Sequence, residues 1–330
     1  MADQEFTLVE AAKMEPEGPN TGFIGIYAEA YQNTFVAPVI PTDRTYPWTV
    51  TDDDLPYTGS TGSRLVGSDF DATQTNAKPY SSEVKAYGGK IKVDEYIVDN
   101  MPQSVPVQQM GQVKGFARKL FIDTFEGTGT ADLKGARTWL GGDLALANAV
   151  TDPGYEEQVI RAGTTANGDL LDLDMLDELI SKVETTNNTF IYMNDILVRR
   201  IKKLNRGRNS DGYNVTYDKS QIGMFDYVYD GIPIISMKDG RNANMLSTTE
   251  YDSGGNNQST MSAYAVTWGT EATTYFSTNA AGVSGTPIPM VADQNDGSNF
   301  LYKRFKFYVG LAPQMPRGIA RLSYLKNALS

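Results

Sequence analysis

The chain has 330 residues, 40 of them acidic and 29 basic, for a net charge of −11, so its surface repels nucleic acid over most of its area. It contains no cysteine and no histidine, which removes disulfides, thiolate chemistry, zinc–cysteine sites, Ser–His–Asp and Cys–His nucleophiles and the commonest transition-metal ligand. Apolar residues make up 40% and glycine occupies 31 positions, the composition of a loop-rich chain forming one large domain or two moderate ones.

Residues 1–45 read as a polar arm whose start, MADQEFTLVEAAKM, lacks the basic and apolar regions of a secretory signal. Nowhere is there a run of about eighteen apolar residues, so no membrane span is expected. TFVAPVIP (34–41) is fenced by proline and reads as an edge strand or an extended tether. From 46 to 89 Gly, Ser, Thr, Asp and Pro dominate. A segment this long and polar is either disordered or held by another chain. KIKVDEYIV (90–98) alternates and reads as a strand.

A long amphipathic helix follows over 107–125, with Met110, Val113, Ala117, Leu120, Phe121, Thr124 and Phe125 on one face. Gly111 and Gly115 weaken it by about 1 kcal/mol each relative to alanine, and Gly127 and Gly129 end it. A second helix is expected over 172–184, with Leu173, Leu176, Leu179 or Ile180, and Val183 inward. FIYM (190–193) reads as a buried strand. Asn194 and Asp195 then stand where they would cap ILVRRIKKL, with Leu197, Ile201 and Leu204 inward. Beyond Gly207 the pattern changes to short strands. FDYVYDGIPIIS (225–236) is a strand, an Asp-Gly turn and a strand. Residues 253–259 read as a loop, 260–269 as β structure, and the tail as two strands split by a proline-rich turn.

Several short patterns carry candidate chemistry, each outweighed by a plainer reading. Gly127–Thr128–Gly129 resembles part of a phosphate loop, but it follows a helix and no further glycine completes the motif. Ser82-x-x-Lys85 and Ser323-x-x-Lys326 match a serine–lysine acylase pattern without its partner motifs. Asp52, Asp53 and Asp54 offer calcium-type oxygens without the EF-hand spacing. Arg199, Arg200, Lys202, Lys203, Arg206 and Arg208 form one dense basic run, read first as the solvated face near a helix C-terminus and second as a contact for phosphate or an acidic partner.

The order of these pieces resembles one known family. A polar arm and flap precede a strand and a long helix, then FIDTFEGTGTADLKGARTWL, LDMLDELISKV, FIYMNDILVRRIKKL, YDGIPII and a final pair of strands ending GIARLSYL. This is similar to tailed-bacteriophage major capsid proteins. The resemblance implies the α+β HK-ninety-seven-like fold, with an N-terminal arm (1–45), an extended β-hairpin loop (46–99), a peripheral domain with a long spine helix (100–205 and 300–330) and an axial domain (206–299). It also implies self-assembly as hexamers and pentamers into an icosahedral head around double-stranded DNA, in the virion, after assembly in the host cytoplasm. A separate scaffolding protein is implied, because no long scaffold region precedes the flap. A decoration protein and the portal are further candidate partners. DNA is enclosed without sequence-specific binding, and no membrane is involved.

No catalytic, cofactor or metal residue is expected, nor a covalent cross-link through Lys78 or Lys85. The working parts are interfaces. Trp48, Tyr57, Arg64, Leu65, Val66 and Phe70 are the expected anchors of the flap on the next subunit, as isolated aromatic and aliphatic side chains in polar sequence. Without histidine, any maturation step between roughly pH 5 and 7 must run on shifted carboxylates. The rival readings are a cytosolic carboxylate-based hydrolase and a β-rich tail or adhesin-type structural protein.

Overall fold

The computed structural model describes residues 39–42, 45–51, 77–94, 115–116, 118–142, 155, 158–163, 168–207, 215–219, 225–238, 244–252, 255–278, 290–294 and 300–329. Strand β1 (Val39–Thr42) is followed by β2 (Thr45–Thr51) and β3 (Ala77–Glu83), which pair as an antiparallel hairpin with Trp48 opposite Tyr80 and Tyr46 opposite Ser82. Period-two alternation turns Tyr46, Trp48, Val50, Tyr80 and Ser82 inward and exposes Thr45, Pro47, Thr49, Pro79, Ser81 and Glu83. After Val84 the chain continues as β4 (Lys85–Asp94), starting five residues earlier than the alternation suggested.

The long helix, α1, is described over 115–116 and 118–126, with Leu120, Phe121, Thr124 and Phe125 buried as its spacing predicts. Its end is set by backbone contact. The Gly127 N–H donates to Asp123 O at 2.9 Å, and Gly135 N–H returns to Gly127 O at 2.9 Å. A Cβ at Gly127 would lie 2.1 Å from Leu133 O and 2.4 Å from Asp123 O. The GTG string is therefore a helix stop whose glycine makes room for a turn folded back on the helix. Gly127→Ala is expected to cost about 3 kcal/mol, the upper end of overpacking penalties, since the obstruction is backbone. An unchanged urea midpoint for that variant would contradict this.

The turn leads into a short helix, α2 (Ala136–Trp139), and then β5 (Val159–Arg161). Helix α3 (Leu173–Ser181) starts at Asp172, whose Oδ1 accepts from Leu173 N–H at 2.7 Å. Leu173, Leu176, Leu179 and Val183 are buried, so Leu179 rather than Ile180 fills the inward position. After β6 (Thr189–Met193) comes α4 (Asp195–Gly207). Asn194 does not cap α4 with its side chain. Its amide donates to Leu246 O at 3.2 Å and accepts from Leu246 N–H at 3.3 Å, imitating a backbone rung. A buried amide gains more by satisfying both its donor and acceptor than by a single cap bond.

Strands β7 (Val215–Lys219), β8 (Phe225–Tyr229) and β9 (Ile232–Ser236) follow, the last two joined by Asp230 and Gly231, both at positive φ (49° and 79°) as a type I′ hairpin requires. Part of the loop expected over 253–259 is paired: β10 (Glu250–Tyr251) meets β11 (Asn257–Gln258). Then come β12 (Thr260–Thr267), buried throughout, β13 (Thr273–Thr278), β14 (Met290–Gln294), the long β15 (Phe300–Pro313) and β16 (Ile319–Lys326), with a 3-10 turn at Pro316–Gly318 between the last two.

Two larger sheets organise these strands. One has seven strands in the order β5-β16-β12-β6-β9-β8-β7 and packs with Leu176, Leu179, Leu197 and Ile201 of α3 and α4. The other runs β1-β13-β15-β14, with β4 added along β15. In it β1 is an edge strand, parallel to β13. Its core joins the hairpin base, α1 and α2. A boundary between 205 and 206 passes through the seven-stranded ladder, because β6 pairs in parallel with β9. A parallel pair needs a crossover, here containing α4, so the strands before and after that helix share one sheet. The expected division between 205 and 206 thus falls between two strands that share one sheet.

Candidate inter-subunit interface

The hairpin base is fastened to its own chain. Trp48 lies 5.4 Å from Trp139 and 5.9 Å from Tyr80, ring centre to ring centre, and Tyr80 meets Tyr155 edge-on at 5.5 Å. Trp48 Nε1–H donates to Tyr155 Oη at 3.4 Å, and only 8% of Trp48 is exposed. Tyr46 stacks on Phe276. Trp48 thus anchors the flap's root inside the subunit. Tyr57, Arg64, Leu65, Val66 and Phe70 lie outside the described residues.

The next joint binds β4 to α1. Tyr87 Oη–H donates to Asp123 Oδ2 at 2.8 Å and accepts from Leu133 N–H at 3.1 Å, while Lys119 Nζ donates to Asp123 Oδ1 at 2.6 Å. Burial raises the Asp123 carboxyl pKa against the pull of Lys119 and Tyr87, and burial likewise pushes the Tyr87 phenol far above its usual range. Asp132, in the glycine turn, goes the other way. Burial raises it, but hydrogen bonds from the Thr128 hydroxyl and N–H outweigh that and lower it.

These opposite shifts predict opposite pH behaviour. Asp123 binds its proton more tightly folded than unfolded, so its contribution falls as pH rises from about 3.9 through the raised folded pKa. The contribution of Asp132 is present above its unfolded pKa and is lost as pH falls through the lowered folded one. Relative to the parent, Asp123→Asn should therefore look better at neutral than at acid pH, and Asp132→Asn worse. Urea unfolding at the two pH values checks both signs. The same pH trend in both variants would contradict the assignment.

A pair missed by the sequence reading ties the seven-stranded sheet, at β16 and β12, to β10. Arg321 is fully buried, with Nε–H donating to Ser262 Oγ at 2.8 Å, NH2 to Glu250 Oε1 at 2.7 Å, and NH1 to Gly142 O. Glu250 Oε2 accepts from Tyr324 N–H at 2.9 Å. A lone arginine within the apolar run GIARLSYL was the available signal.

The basic run of α4 turns on its own chain. Arg199 pairs with Asp195, Arg200 holds Leu171 O (3.2 Å) and Leu329 O (3.0 Å), Lys203 reaches Leu329 O (3.3 Å), and Lys202 stands 4.1 Å over the Tyr227 ring. Arg200 and Lys203 secure the final segment against the helix, whereas the Arg206 side chain and Arg208 lie outside the described residues. The serine–lysine patterns do not form pairs of that chemistry: Ser323 Oγ donates to Ile160 O, and Lys85 reaches Glu83 and Thr130 O. Asp52, Asp53 and Asp54 lie outside the described residues. Among the described residues no helix is long and apolar enough to cross a membrane.

No protein-family model matches the sequence, and no curated protein does either. Solved structures match over nearly the whole chain. The holo-SrpI encapsulin complex from Synechococcus elongatus PCC 7942 gives a TM-score of 0.60 at 13% identity, covering 99% of this chain and 98% of that one. The capsid of a native GTA particle gives 0.58 at 12% identity, covering 98% and 100%. The cyanophage A-1(L) capsid gives 0.56 at 14% identity, covering 89% and 94%.

The chain has the HK-ninety-seven-like capsid fold. The expected extended loop (46–99) and spine helix fall on the β2–β3 hairpin and on α1. The β4–β15 ribbon lies against that helix through Tyr87 and Asp123. At identities this low, the HK-ninety-seven-like fold survives in element order and packing, not in residue identity.

Proposed function

We propose that the chain is the major capsid protein of a tailed phage. In this reading it assembles as hexamers and pentamers into an icosahedral head that encloses double-stranded DNA, and its function lies in its surfaces, not in a catalytic site. The observation that carries the reading is the two-way, near-complete coverage against capsid structures. The likeness spans 98% and 89% of this chain and 100% and 94% of those two.

The flap, residues 46–99, reaches a neighbouring copy while its root stays on Trp139 and Tyr155 of its own chain. Contacts of this head-to-tail kind close into rings when the rotation allows. A separate scaffolding protein, a decoration protein and the portal are the proposed further partners. An acidic chain suits a container for DNA, because a wall that does not grip phosphate lets the duplex slide.

A second reading, a protein compartment without a genome, is favoured by the likeness to the encapsulin. Nuclease treatment of particles from the producing cell separates the two. Protected double-stranded DNA is expected. Particles holding protein cargo and no DNA would replace the phage reading with the compartment.

A further inference from the structure

The glycine turn that ends α1 closes on itself. Thr128 donates to Asp132 Oδ1 from its N–H at 3.1 Å and from its hydroxyl at 2.7 Å. Gly127 O accepts from Thr138 Oγ1–H at 2.6 Å and from Gly135 N–H at 2.9 Å. A Cβ at Gly135 would lie 2.4 Å from Asp123 O and 2.6 Å from Gly127 N, so α2 is pressed against the end of α1 backbone to backbone. Arg137 pairs with Glu126 across the same joint. Residues 123–139 therefore form one stiff unit.

The root of the flap sits on this unit at two points. Trp48 of β2 packs on Trp139, over whose ring Lys134 Nζ stands at 3.5 Å. Tyr87 of β4 donates to Asp123 Oδ2 and accepts from Leu133 N–H. Of the β4 side chains described, Lys85 to Lys90, Tyr87 alone is buried. Val84 separates β3 from β4, so the direction of the hairpin is not carried through an unbroken strand. It is set where the root is seated.

Small errors at the root grow along the hairpin. A ladder of seven residues is roughly 20 Å long at about 3.3 Å per residue, and a tilt of roughly 10° moves its far end by about 3.5 Å. A gap of about 0.5–1 Å already forfeits a quarter to a half of a packing contact.

We infer that residues 123–139, the end of α1 with its turn and α2, are the bearing that sets the direction of the flap, with Tyr87 as the positioning residue. The inference rests on the shell reading and names what aims the flap, not what the flap meets. A subunit whose flap is aimed for only part of the time binds its neighbour more weakly by that fraction.

The lack of cysteine makes the direction measurable. Lys78→Cys in the hairpin and Glu178→Cys on α3, both at exposed positions, carry spin labels, and pulsed electron resonance on soluble subunits reads the spread of their separation. Tyr87→Phe keeps the ring and removes both bonds of the phenol. The parent should give a narrow distribution and Tyr87→Phe one roughly twice as wide, because tilted states become populated. Thr138→Val, which loosens the unit without touching the flap, should broaden it too. Asp123→Asn, whose amide oxygen still accepts from the phenol, should broaden it less than Tyr87→Phe. Shell yield at limiting concentration should fall by roughly tenfold for a seated fraction of roughly one tenth.

A merely structural role would lower the urea midpoint of Tyr87→Phe and leave the labels of its folded subunits narrowly spaced, and that result overturns the bearing. A parent distribution as wide as that of the variant overturns it as well. Should Tyr87→Phe fail to fold, Thr138→Val decides, and a parent-like width there overturns the proposal. If the labels behave as expected while the parent forms no shells, the bearing stands and the shell reading fails.

Discussion

Replacing residues 54–74 with a two-residue Asn-Gly turn should leave a folded, soluble subunit that no longer forms closed shells. The replacement spares the whole β2–β3 ladder, from Thr45–Glu83 to Thr51–Ala77, and an Asn-Gly turn suits a short hairpin. It also spares the aromatic anchors Tyr46, Trp48 and Tyr80, which hold the hairpin root to Trp139, Tyr155 and Phe276. Subunit stability therefore stays within about 0.5 kcal/mol of the parent, as for changes remote from buried structure. What disappears is the segment proposed to reach another copy. Stable interfaces bury about 1,600 Å² in total, and losing a segment of this length removes a large part of such a contact from every subunit. Thermal melting and sedimentation on the same preparation read both halves of the prediction. Shells at the parent's yield would show that the flap is dispensable.

Arg321→Ala should cost about 3–5 kcal/mol, the penalty for breaking a buried ion pair from one side. That is a large share of the 5–15 kcal/mol typical of a folded domain. The guanidinium bonds to Glu250, Ser262 and the Gly142 carbonyl, and Glu250 is only 1% exposed. Alanine leaves that carboxylate buried without its counter-charge, and frees the segment before Gly142 from β16. The paired change Arg321→Met with Glu250→Gln should recover part of the loss, because no buried charge then remains. Urea unfolding of the subunit is the measurement. A loss under 1 kcal/mol for the single variant, or a greater loss for the pair, would contradict this account.

What the sequence made legible was local. The Asp230–Gly231 turn, the Leu173–Leu176–Leu179 stripe and the glycine stop of α1 each follow from a few neighbouring residues. So does the edge position of β1, announced by its fencing prolines. What stayed hidden depends on partners far along the chain. Asn194 stands where a helix cap belongs, but its amide is claimed by Leu246, 52 residues away. Arg321 and Glu250 are 71 residues apart, and neither flank suggests the other. The parallel pairing of β6 with β9 is likewise a long-range event. Trp48 packs on Trp139 and bonds to Tyr155 of its own chain, residues no local pattern connects to it.

The central claim is that this chain works as the wall of a shell. Its size distribution in lysate of the producing cell, by sizing chromatography with light scattering and negative-stain imaging of the heaviest peak, tests that most directly. The account predicts megadalton closed particles built from five- and six-membered rings. Chain found only as a 36.2 kDa monomer, with none in particles, would contradict it.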